Sequence, residues 1–110
     1  MRFMRRDFWA IMRLGQLFIS KSDNSQNEAA AKRLVYALAD FLSPEDMEST
    51  VRMAGMLDFE SSVAALTTLG SEELQWAKEL LYSIATIDGD MNADQTKMWE
   101  YLENNTGFSL

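Results

Sequence analysis

The residues best arranged for chemistry are five in a row, Asp88-Gly89-Asp90-Met91-Asn92. Oxygen-bearing side chains at alternate positions of a turn can converge on one hard cation. Asp88, Asp90 and Asn92 match positions 1, 3 and 5 of an EF-hand loop, which points to calcium or magnesium. The match then stops. Ala93 stands where that loop has glycine, and Trp99 stands where it has its bidentate glutamate. A turn with a central glycine and an asparagine cap accounts for the same residues, and it is the simpler reading.

Other chemistry is excluded by what the chain lacks. With no Cys there is no thiol nucleophile, disulfide or thiolate metal site. With no His there is no Ser-His-Asp triad, and zinc loses its usual nitrogen ligand. No phosphate-cradling glycine loop, nucleophile elbow or Ser-x-x-Lys occurs, and no carboxylate pair stands in an apolar context that would split its pKa values. The sequence therefore reads as non-catalytic, with no organic cofactor.

Charge and aromatic residues point to binding instead. The net charge is -7 over 110 residues, and it is unevenly spread. Residues 1–21 carry Arg2, Arg5, Arg6, Arg13 and Lys21 against Asp7, a balance of +4, which leaves -11 on the remainder. Phe3, Phe8, Trp9 and Met12 interleave with those arginines and form a candidate partner-binding set. Basic amphipathic helices also engage nucleic acid or lipid headgroups. Here the apolar set is wide and the arginines few, so a helix whose arginines pair with the chain's own acids is favoured. The acidic mean field speaks against direct nucleic-acid binding. Arg5-Arg6-Asp7-Phe8-Trp9 faintly resembles a twin-arginine signal, but Arg13 interrupts the apolar stretch and no Ala-x-Ala-like site follows. No apolar run is long enough to span a bilayer, and the expected location is cytoplasmic.

The elements that would carry these residues are helical. Ala, Leu, Met, Glu and Gln dominate, with five Gly and one Pro, and no stretch alternates with period two. About 3–20 forms a helix apolar on most faces, with Gly15 open to close approach and Asn24 or Ser25 capping the next. About 26–42 turns Ala31, Leu34, Val35, Leu38, Phe41 and Leu42 inward, with Glu28 and Lys32 paired outside. Ser43 caps a helix over about 44–56 with Pro44 in its first turn and an edge of Met47, Val51, Ala54 and Gly55. Asp58 caps about 59–69, with Phe59, Val63, Leu66 and Leu69 inward and Gly70 closing it. About 72–87 carries Leu74, Ala77, Leu81 and Ile84 on one face, and Gly89 suits a left-handed position beyond its end. Asn92 and Gln95 make a capping box for about 93–104, which shows Met98, Trp99 and Leu102 to the core. The expectation is a single all-α domain over 1–110, a compact bundle of five to six helices. Ala39-Asp40 before Ser43 and Ile87-Asp88 before Asn92 suggest two related helix-turn-helix halves.

The segment 81–95, LYSIATIDGDMNADQ, resembles the signature of TerB-like tellurite-resistance helical domains. That signature is an apolar helix ending in Ala-x-x-Asp-Gly, a polar turn with one apolar residue, then a capped helix with an early acid. The resemblance implies an all-helical fold of two related halves and a non-catalytic role in stress-response or membrane-associated complexes. It also implies Asp88 and Asp90 as metal-facing acids. Gln95 stands where the family usually has Glu, and the other half offers Asp40, Glu45 and Asp46 without the Asp-Gly pair.

Three functions follow as expectations. The first is an interaction module that binds a protein partner or forms a homo-oligomer, because one bundle of this size need not bury all the apolar surface of the first helix. The second is an acidic inhibitor from a phage or other mobile element, of anti-CRISPR or DNA-mimic type, that meets a nucleic-acid-binding protein. The third is a divalent-metal-binding stress-response protein that uses Asp88, Asp90 and Asn92.

Overall fold

The computed structural model describes residues 1–22 and 27–107, so the Asn24 or Ser25 cap lies outside the described residues. Six helices are present: α1 Arg5–Ser20, α2 Asn27–Ala39, α3 Pro44–Ala54, α4 Phe59–Leu66, α5 Ser71–Ala85 and α6 Ala93–Thr106. No strand occurs among the described residues. The fold is an all-α bundle, and its Cα radius of gyration of 12.8 Å fits a compact chain of this length.

Helix α1 is the hub, packed against α2, α3, α4 and α5. Phe8, Ala10, Ile11, Met12, Leu14 and Phe18 are all buried, a set too wide for one neighbour and suited to several. Its start is fixed by Asp7, whose Oδ2 accepts the Met4 N–H at 2.6 Å while Met4 O accepts the Asp7 N–H at 3.0 Å. Gly15 is the point of closest approach. A Cβ there would stand 2.6 Å from Leu34 Cδ2, so what the glycine admits is a side chain of α2, not a backbone.

That contact sets the rotation of α2. Ala30, Leu34 and Leu38 face the core, while Ala31 and Val35 point outward. Both stripes are apolar, so the sequence places Ala31 and Val35 inward with Leu34. The Leu34 knob in the Gly15 notch selects the other stripe. Helix α3 shows a similar shift: Thr50 and Ala54 are buried, Met47 is half-buried and Val51 is exposed. Thr50 is tolerated inside because its hydroxyl donates to Asp46 O at 2.7 Å.

The caps follow side-chain chemistry. Ser43 accepts the Asp46 N–H at 3.1 Å with Pro44 in the first turn, and Asp58 accepts the Ser61 N–H at 2.7 Å. Gly70 opens α5 at φ -65° instead of closing α4, which ends at Leu66 with Thr67 as its C-cap. Gly89 does take a positive φ, +124°. Four residues separate α2 from α3 and seven separate α5 from α6, so the two turns differ more in space than in sequence.

Candidate functional site

The turn singled out by its acids is built around hydrogen bonds to α1. Asn92 Oδ1 accepts the Gln95 N–H at 2.9 Å, and Gln95 Oε1 accepts the Asn92 N–H at 3.1 Å, the expected capping box. Both amide nitrogens then reach across the fold: Asn92 Nδ2 donates to Lys21 O at 2.7 Å and Gln95 Nε2 to Phe18 O at 3.0 Å. The last carbonyls of α1, which lack partners within the helix, are thus satisfied by the first turn of α6. Asn92 is therefore engaged at both ends of its amide. Gln95 is buried, and its amide accepts from Asn92 and donates to Phe18 at once, which a carboxylate cannot do. Asp88 and Asp90 are exposed, and no group of three acids that could hold a metal ion is found among the described residues.

The four residues chosen for a partner fall into two groups. Phe8 and Met12 are 5% and 2% exposed and belong to the chain's own core. Phe3 and Trp9 are half-buried. The bundle covers most of α1 because four helices surround it, so apolar width signalled centrality and not an open face. Phe3 still reaches the surface as part of a four-ring cluster. Its centroid lies 5.0 Å from Phe8, 5.3 Å from Phe41 and 5.4 Å from Trp76, and Phe41 lies 5.3 Å from Trp76. The edge-to-face and tilted geometries are those aromatic quadrupoles favour.

On the Phe3 and Phe41 side of that cluster the surface is largely apolar. A groove is lined by Met1, Arg2, Phe3, Met4, Phe8 and Phe41, and Met1, Met4 and Phe41 remain 52%, 59% and 41% exposed. On the other side of the same turn a second groove is lined by Val35, Ala39, Leu42, Ser43, Pro44 and Met47. The outward α2 stripe feeds it. Phe41 lines the first groove and Leu42 and Ser43 the second, so the two flank residues 40–43, and the Leu34 contact at Gly15, which turns Val35 outward, leaves the second open.

The arginines use their own chain only in part. Arg13 Nε donates to Leu57 O at 2.8 Å, binding α1 to the turn before α4. Arg5 approaches Asp46 at 4.0 Å with 81% of its side chain exposed. At Arg2 it is the backbone N–H that is held, 2.7 Å from Glu73 Oε2, and this bond keeps the Glu73 carboxyl below its ordinary pKa.

Sequence reasoning overlooked Lys78. Its side chain is fully buried, with Nζ 2.7 Å from Glu103 Oε2 and 3.1 Å from Thr106 Oγ1. The sequence does carry a sign of this: Lys78 sits four after Leu74 and three before Leu81, on the inward stripe of α5. The pair joins α5 to the last turns of α6, which buries only Gln95 and Leu102 outright. It reads as a structural clamp.

No family model, curated protein or solved structure matches the chain. No helix among the described residues is long and apolar enough to cross a membrane.

Proposed function

We propose that the chain is a non-catalytic helical interaction module that docks a protein partner, or its own copy, on the apolar surface flanking the α2–α3 turn. One observation carries this reading. Met1, Met4, Val35 and Phe41 are large apolar or aromatic side chains left exposed around that turn, beside two open grooves. Clustered apolar exposure of this kind marks contact surfaces, whereas single exposed residues do not. The likeness of residues 81–95 to TerB-like domains supports a binding role over a catalytic one. The exposed acids are spread over α2 to α6, so the apolar surface, and not an acidic face, supports this reading.

The test compares the full chain with a Met4→Gln, Val35→Ser variant. Light scattering after size exclusion reads self-association, and affinity capture from the native host reads a partner. A self-associated state or a captured protein that the variant loses, at unchanged melting temperature, supports the reading. A monomer whose captured proteins are the same for both chains overturns it.

A further inference from the structure

We infer that the groove between residues 1–4 and Phe41 takes an acidic amphipathic polypeptide segment, with an apolar side chain on the rings and carboxylates against the arginines. This rests on the docking surface proposed above and names the chemistry of its partner.

The floor of the groove is apolar, made by Phe3, Phe8 and Phe41, with Met1 and Met4 at its lip. Arg2 lines it, and Arg5 and Arg6 follow directly on the exposed first turn of α1. The Arg2 backbone, not its side chain, is tied to Glu73, and Arg5 meets Asp46 only at 4.0 Å. Two of the three guanidinium groups, those of Arg2 and Arg6, have no acid within ion-pair distance among the described residues. With Arg2 in the lining and Arg5 and Arg6 exposed a few residues further on, three cations on a chain that carries -10 without them (net -7 less +3) form a locally inverted field. Guanidinium groups suit carboxylates well because their donors form a fork that matches two oxygens. Methionine at the lip adapts to varied apolar side chains.

A flat anionic bilayer fits less well. The neighbouring groove is lined by Met1, Glu72, Gln75, Trp76 and Glu79, and Glu73 and Asp46 stand beside the arginines. A membrane would have to meet those acids as well as the arginines. A narrow peptide follows the trough over Phe3, Phe8 and Phe41, where Arg2 is the charged residue of the lining.

Fluorescence anisotropy on the full chain tests this with a labelled synthetic peptide of glutamates interleaved with leucine and phenylalanine. Its twin carries glutamine for every glutamate. The acidic peptide is expected to bind, more weakly as salt is raised, and the twin roughly tenfold less tightly, as the loss of a few exposed charge pairs implies. Arg2→Gln, Arg5→Gln and Arg6→Gln combined should cost the acidic peptide roughly tenfold and leave the melting temperature unchanged. Equal binding of both peptides, or binding of neither, overturns the inference. Tighter binding to phosphatidylglycerol vesicles than to the peptide assigns the groove to lipid and also overturns it. Self-association abolished by the arginine variant assigns the groove to a second copy, with the same consequence. If both peptides bind alike and Met4→Gln, Val35→Ser weakens both, the docking surface stands and only its acidic specificity fails.

Discussion

The ammonium of Lys78 has left water, and Glu103 and Thr106 replace the hydration it lost. Taking one partner from a buried pair strands the other. Glu103→Gln is expected to cost about 3 kcal/mol, near the low end for such pairs because Thr106 remains. Lys78→Met with Glu103→Leu should recover most of that loss, since apolar replacements of buried pairs are often neutral. Urea unfolding of the three chains checks both statements. A similar logic applies to Gln95, whose amide both accepts and donates. Gln95→Glu installs the acid usual in TerB-like domains but turns a carboxylate toward the Phe18 carbonyl. Stability should fall by about 1–3 kcal/mol, the cost of a lost buried bond and an unsatisfied group, read by the same measurement. The capping role of Asn92 and Gln95 is legible in the sequence because it is local. Their reach to Lys21 and Phe18 spans more than seventy residues and has no local sign.

At the scale of elements, capping and packing act separately. Asp58 holds the α4 N-terminus through the Ser61 N–H, and that bond lowers its pKa below 3.8, while Arg2 does the same to Glu73 below 4.5. Both groups are depressed in the folded chain, so the unfolded chain takes up protons first as the solution is acidified. Their contribution is complete above about pH 4.5 and is lost as pH falls through the lowered folded values. Asp58→Asn and Glu73→Gln should flatten the drop in urea midpoint below that pH. A drop as steep as wild type would contradict the assignment. Packing decides the rotation of α2. Gly15→Ala gains about 1 kcal/mol of helix propensity but overpacks Leu34 by about 1–3 kcal/mol, so the melting temperature should fall. Leu34→Val in the same chain should offset part of that fall, which a double-mutant cycle measures. The sequence shows α2 as amphipathic with a broad apolar arc, and six residues of that arc cannot all face one groove. Only the neighbour's shape selects among them.

For the whole molecule, the decisive quantity is how much apolar surface the bundle covers. Phe8 and Met12 lie in the core, while Met4 stays 59% exposed on the same helix end. Phe8→Ala should cost about 3–5 kcal/mol, whereas Met4→Gln, which adds no N-cap, should change stability by less than about 0.5 kcal/mol. Thermal melts of the two variants separate core from surface on α1. Composition, spacing and caps by themselves determined that this chain is all-α, that its helices start at Ser43, Asp58 and Asn92, and that its charge divides into a basic first helix and an acidic remainder. Those properties follow from local propensity, from hydrogen bonds three residues apart and from counting. The tertiary structure alone decided which apolar stripe is buried, that Lys78 is inside, that Asn92 is held by Lys21 at the end of α1, and that the apolar side chains of the first helix are largely covered while Met1 and Met4 ahead of it stay exposed. Each of these depends on contacts between residues far apart in the chain, where the volume of one side chain and the notch left by another choose between faces that the sequence makes equally apolar.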